Sequence, residues 1–303
     1  MKLVPHPTNL CSKYATKMLS IRICQNCNGN CKFCVDKDGY KTDVTDVNAI
    51  VRAAKYYMNY ETVIITGGEP FLVFEDVLAV LKGLRPHKDR LVLNTNGSLL
   101  TQENVQRLTG LIDELQVSVH NPDEVKNASV FGLHIAFSDI EKALKGARFD
   151  VSINSTFNDS YQTKAERHDM LHNMLALCRR FGANKLRLTE LKKVADPLEA
   201  KDFGFKSDIT TEQLICKGCT EYQQHDAVTV SIKRLCEYAK GKGAIAFSCC
   251  FLDEKGQMKI EIDTRDTFKV IYGDGTVTDD WIFDSGLTVI CSRHTIRKEN
   301  QNE

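Results

Sequence analysis

The chain lacks net charge, long runs of one charge sign and long apolar stretches. Forty Lys and Arg balance forty Asp and Glu. No global basic field points to nucleic acid, and no charge run reads as a binding tail. No window reaches ~18 uninterrupted apolar residues, which excludes an ordinary membrane-spanning helix. The segment Met1 to Pro7 has no apolar core of signal-peptide length, so a cytoplasmic protein without a membrane partner is expected. Low-complexity segments and internal repeats are also absent. In that compartment twelve cysteines read as ligands, reactive thiols or core residues rather than as disulfides.

What is present is an alternation of short β-prone runs and amphipathic segments. Strands are predicted over 19–24, 62–66, 91–95, 115–120, 149–156 and 186–189. Helices are predicted over 43–58, 74–84, 101–108, 138–145 and 164–181, with Ser138 and Glu141 in capping-box spacing and a stop at Gly182. Met170, Met174 and Cys178 fall at core positions. Six β/α steps predict an α/β fold with a parallel sheet and right-handed crossovers, curled into a partial (β/α)6 TIM-like barrel. The expected organisation is a lead-in over 1–17, a core over 18–191 and a small α+β C-terminal domain over 192–303. That domain is predicted to hold a helix over 227–239, strands over 243–250, 258–262, 268–272, 276–283 and 287–290, and a hairpin turn at Gly273-Asp274-Gly275. Functional residues are then expected at the C-terminal strand ends.

Three thiols stand within eight residues, Cys27, Cys31 and Cys34, directly after the first strand. Thiolates at this spacing suit an iron–sulfur cluster, and three ligands to a four-iron cluster leave one iron open. With Cys24 the segment also contains two C-x2-C pairs, so a four-cysteine zinc knot is the alternative, although the pairs lie closer than zinc sites usually place them. Asn28, Gly29 and Asn30 favour a tight turn with exposed N–H groups over a buried apolar segment. The second strand runs into Gly67-Gly68-Glu69-Pro70, where two glycines admit a ligand to the backbone and a carboxylate can grip an ammonium group. Asn94-Thr95-Asn96-Gly97 ends the third strand.

Taken in order at successive strand ends, these motifs resemble the radical S-adenosylmethionine (SAM) superfamily over about residues 18–191. The match is the C-x3-C-x2-C triad with aromatic Phe33 before its last cysteine, then Gly67 to Pro70, then the Thr-Asn-Gly turn. The resemblance implies a [4Fe–4S] cluster on Cys27, Cys31 and Cys34, with SAM on the open iron and its amino group near Gly67, Gly68 and Glu69. It implies reductive cleavage of SAM to a 5′-deoxyadenosyl radical that abstracts hydrogen from a peptide or small-molecule substrate. An electron donor such as flavodoxin or ferredoxin would act as partner. Phe33, Asn96, Ser118, His120, Asn154 and Arg187 are further cofactor-binding candidates, with Arg187 suited to the SAM carboxylate.

A second cysteine set follows: Cys216-x2-Cys219, Cys236, Cys249-Cys250 and Cys291. Cys216 and Cys219 are expected to ligate a second [4Fe–4S] cluster or zinc with one or two of the later cysteines. Cys236 reads as core. The hairpin Lys269 to Val277 resembles the Asp-Gly hairpin of SPASM or twitch domains, but Asp279-Asp280-Trp281 stands where such domains often carry a cysteine. Cys249 or Cys250 could instead return a hydrogen atom to a substrate radical. Two rival classes stay open at this point, an iron–sulfur electron carrier without its own substrate and a zinc-binding module.

Overall fold

The computed structural model describes residues 18–31, 34, 44–156, 164–189, 229–233, 260–262, 268–278, 281–282 and 288–289. Six strands follow the predicted order: β1 (Met18–Arg22), β2 (Thr62–Thr66), β3 (Arg90–Thr95), β4 (Glu114–Ser118), β5 (Asp150–Thr156) and β6 (Lys185–Thr189). Each is parallel to the next. Between them lie α1 (Val47–Tyr56), α2 (Phe74–Leu84), α3 (Gln102–Arg107), α4 (Glu124–Phe131), α5 (Phe137–Leu144) and α6 (Lys164–Phe181).

The strands are amphipathic across the sheet. Leu19, Ile21, Val63, Ile65, Leu91, Leu93, Leu115, Val117, Val151, Ile153 and Leu186 alternate onto one face and join the helices in one core. Each such side chain contributes roughly 1.5–3 kcal/mol when fully buried. Met170, Met174 and Cys178 of α6 are fully buried there, as expected. The inner face is different. Met18, Ile64 and Val92 form a small separate apolar floor, and Ser20, Arg22, Gln116, Ser152, Asn154 and Arg187 share that face by register.

Four differences from the sequence expectations bear on the site. Helix α4 has no counterpart among the predicted helices; Asp123 caps it by accepting from Lys126 N, and Gly132 ends it in the left-handed region. Helix α5 begins at Phe137 and has no capping side chain of its own. The predicted Ser138 box is replaced by Glu124 Oε2, which accepts the Phe137 N–H at 2.9 Å. The predicted helix over 227–239 contains a strand instead, β7 (Thr229–Lys233), parallel to β6. Polar and apolar residues alternate in its Thr-Val-Ser-Ile sequence, and Thr229, Val230 and Ile232 are β-branched.

Four of the C-terminal strands continue the same sheet. After β7 come β8 (Ile260–Ile262), β9 (Phe268–Tyr272) and β10 (Val277–Thr278). One ten-stranded sheet runs β10-β9-β1-β2-β3-β4-β5-β6-β7-β8. Residue 191 is therefore not a boundary of this sheet. The Gly273-Asp274-Gly275 turn does join an antiparallel hairpin, but β9 lies parallel against β1. A separate two-stranded ladder pairs β11 (Trp281–Ile282) with β12 (Thr288–Val289). The remaining stretches of the predicted C-terminal domain lie outside the described residues.

Candidate active site

The first strand stops at Arg22, and the cysteine loop leaves from Ile23. Cys27 is exposed, while Cys31 and Cys34 are partly buried, all as free thiols. Two hydrogen bonds shape the described part of the loop. Gly29 N–H donates to Cys27 Sγ at 3.3 Å, and Cys34 N–H to the Cys31 carbonyl at 3.2 Å.

The glycine turn after β2 is built around this loop. Gly68 N–H donates to the Cys24 carbonyl and Glu69 N–H to the Asn26 carbonyl, both at 2.9 Å. A Cβ on Gly68 would stand 2.1 Å from Asn26 O, and one on Gly67, at φ +150°, 2.5 Å from Cys24 O. The backbone of the cysteine loop itself approaches both glycines on the side a Cβ would occupy. Cys24 faces the same turn. Its thiol donates to the Glu69 carbonyl at 3.4 Å and to the Asn26 carbonyl at 3.7 Å. Burial, then the Glu69 charge, pushes it up to about 12. The thiol thus ties the end of the first strand to the glycine turn.

The Glu69 side chain is fully buried. Oε1 accepts from Phe71 N–H at 3.0 Å and from the Thr95 hydroxyl at 2.8 Å, and Oε2 accepts from Asn96 N–H at 2.7 Å. Burial raises its pKa, opposed by those three donors. The carboxylate thus welds the end of β2 to the Thr95-Asn96-Gly97 turn. Asn96 Nδ2 in turn donates to Asn28 Oδ1 at 2.9 Å and lies 4.0 Å from Cys27 Sγ. Asn28 Nδ2 donates to Ser98 Oγ at 2.8 Å.

From the other side, α4 meets the loop. Asn30 N–H donates to the Phe131 carbonyl at 2.6 Å, and Gly132 packs on Asn30 Cβ. Behind Phe131 stands His120, with ring centroids 4.7 Å apart. Desolvation drops the buried imidazole to about 3. Its Nδ1 accepts Thr156 N–H at 3.1 Å, which places the ring proton on Nε2. Asn127 Oδ1 accepts the His120 N–H at 2.9 Å.

Ser118, Asn154 and Arg187 form one row across β4, β5 and β6. Below that row, buried Glu114 Oε1 accepts from Ser152 Oγ at 2.6 Å and Gln116 Nε2 at 2.8 Å. Its Oε2 is paired with Arg90, and Arg187 Nε lies 3.7 Å from Oε1. Burial raises the Glu114 pKa, but Arg187, Ser152, Gln116 and Arg90 reverse this and leave it lowered.

The structure therefore brings Cys27, Cys31, Cys34, Gly67, Gly68, Glu69 and Asn96 into one assembly, and Ser118, Asn154 and Arg187 into a second. His120 lies behind α4. Phe33, Cys216, Cys219, Cys236, Cys249, Cys250 and Cys291 lie outside the described residues. Asn127, Phe131 and Glu114 were not singled out by sequence reasoning. The N-cap Asp123 and terminal Gly132 of α4 are the signal that could have found the first two.

Three thiols in one loop are the donor type that a four-iron cluster takes, one thiolate per iron corner.

The profile of the radical SAM superfamily matches residues 21–172, half of the chain. This protein belongs to that superfamily, whose enzymes use a [4Fe–4S] cluster and SAM. A relative named as a probable GTP 3′,8-cyclase from Thermococcus kodakarensis is 33% identical over 136 residues, 42% of this chain and 43% of the relative. A relative named as an AdoMet-dependent heme synthase from Nitratidesulfovibrio vulgaris is 26% identical over 183 residues, 55% of this chain and 46% of the relative. The chain thus spans less than half the length of these relatives. Streptococcus suis SuiB, solved with S-adenosylmethionine, matches with TM-score 0.61 at 16% identity over 86% of this chain and 59% of SuiB. That likeness shares the fold, an α/β sheet of barrel type. No helix among the described residues is long and apolar enough to cross a membrane.

Proposed function

We propose that Cys27, Cys31 and Cys34 hold the [4Fe–4S] cluster, and that SAM and a polar peptide or small-molecule substrate meet on the inner face beside it. The observation that carries this reading is the Glu69–Asn96–Asn28 chain of hydrogen bonds, which fixes the cysteine loop in a folded form. When bound, the reduced cluster supplies the electron that cleaves SAM to the hydrogen-abstracting 5′-deoxyadenosyl radical. The chain's own residues do the rest. Asn96 and the Gly29 N–H aim donors at the Cys27 sulfur, which stabilises its thiolate. With Cys24 engaged at the Glu69 carbonyl, three thiolates remain for the cluster, and one corner would stay open for SAM. The row Ser118, Asn154 and Arg187 faces that space, with Arg187 anchored from below by Glu114.

The substrate class draws on the relatives. One relative is named as a probable GTP 3′,8-cyclase, and SuiB has been solved with its precursor peptide SuiA. A guanidinium beside amide and hydroxyl groups suits an anionic, oxygen-rich ligand of either kind. Cys216 and Cys219, with Cys249, Cys250 or Cys291, are assigned to a second metal site, and flavodoxin or ferredoxin to electron delivery. Iron, zinc and sulfide counts on anaerobically purified protein test these assignments. The triad variant Cys27→Ala/Cys31→Ala/Cys34→Ala should lose about four irons, in line with one cubane. Unchanged iron would refute the ligand set, and no metal left in the triad variant would refute the second site.

A further inference from the structure

The hairpin β9–β10 comes from the far end of the chain, yet it reaches both stems of the cysteine loop. Strand β9 runs beside β1 from Met18↔Phe268 to Arg22↔Tyr272, so the turn emerges where the loop departs. Gly273 is buried there. A Cβ on it would stand 2.4 Å from the Val44 carbonyl oxygen and 3.2 Å from that of Ile23. Ile23 leads into the loop and Val44 leads out of it towards α1. Gly273 O accepts the Asp46 N–H at 2.7 Å, in the residue that caps α1. The stems are also tied to each other, since the Thr45 hydroxyl donates to the Ile23 carbonyl at 3.0 Å. The turn holds its own shape through Gly275 N–H on Tyr272 O and Tyr272 N–H on Thr276 O, each at 2.9 Å.

We propose that this hairpin is a positioning element of the cluster site, with the Gly273 backbone stapling the two stems of the cysteine loop together. The inference rests on the assignment of Cys27, Cys31 and Cys34 to the cluster. Its physical basis is loop closure. A loop whose ends are fixed has already lost the entropy that cluster binding would otherwise take from it. Gly273 does not adopt a positive φ, so alanine there tests close approach alone.

The test compares wild type with Gly273→Ala, Thr45→Val and Lys269→Ala in the full-length, anaerobically reconstituted protein. Lys269 contacts the Tyr57 ring at 5.2 Å near the start of β9, away from the stems. The readouts are the rate of iron loss to a chelator, the EPR line shape of the reduced cluster and hydrogen exchange at the Asp46 amide. Gly273→Ala should lose iron roughly tenfold faster, broaden the EPR signal and unprotect Asp46. Thr45→Val, which inserts nothing into the contact, should shift iron loss the same way by a smaller factor. Lys269→Ala should match wild type. Wild-type iron retention and Asp46 protection in both Gly273→Ala and Thr45→Val would overturn the staple. So would an equal effect from Lys269→Ala. A wild-type protein that takes up no iron would instead refute the cysteine assignment beneath it.

Discussion

His120 gives the protein a calculable sensitivity to mild acid. Its imidazole sits near pKa 3 in the folded chain, against about 6.5 when unfolded. A base with a depressed folded pKa binds its proton in the unfolded state first. Stability is therefore full above about pH 6.5 and falls as pH drops towards 3, at up to about 1.4 kcal/mol per pH unit. Between pH 7.5 and pH 5 this one residue removes about 2 kcal/mol. The relevant perturbation is His120→Asn, which removes the titration. The assay is the urea midpoint of wild type and variant under anaerobic conditions at both pH values, read as a difference so that shared titrations cancel. Wild type should lose about 2 kcal/mol more than the variant. Equal losses would refute the reading of a neutral ring buried against Phe131. The variant should also hold the cysteine loop less firmly, because that ring backs the carbonyl that accepts from Asn30.

Other outcomes follow from the same contacts. Gly68→Ala places a methyl group 2.1 Å from the Asn26 carbonyl, so iron per chain after reconstitution should fall well below wild type. Wild-type loading would show that the loop does not depend on this close approach. Glu114→Gln leaves Arg187 and Arg90 without their shared carboxylate, at a cost of about 2 kcal/mol once the exposure of Arg90 is discounted. Because the folded pKa of Glu114 is lowered from 4.5, its contribution is present above that value and is lost as pH falls further. The denaturation difference should therefore be constant from pH 7.5 to 5.5, and a difference that shrinks within that range would contradict the assignment.

The strands and most helices were legible because periodicity reports the face towards the core. Strand β2 and helices α2 and α6 have the bounds that their apolar spacing predicts. Helix α4 was hidden because its residues break the apolar spacing: Val125 is exposed, while Asn127 is buried for its hydrogen bonds to the backbone of His120 and Asn121. The cysteine, glycine and Asn96 motifs were legible as chemistry, but their mechanical roles were not. Nothing in Gly67-Gly68-Glu69 states that the cysteine loop itself fills the space over the glycines. Nor does a sequence pattern state that β9, far along the chain, pairs with β1. Such long-range pairings carry no local signal, and that is why the joining of β7, β8, β9 and β10 to the sheet was not legible.

The central claim is that Cys27, Cys31 and Cys34 together direct the cleavage of SAM. The most direct test incubates dithionite-reduced protein with SAM and quantifies 5′-deoxyadenosine, with Cys31→Ala beside wild type. Wild type should form it, and Cys31→Ala should form none while losing its brown N-terminal cluster. Continued 5′-deoxyadenosine formation by Cys31→Ala would contradict the account.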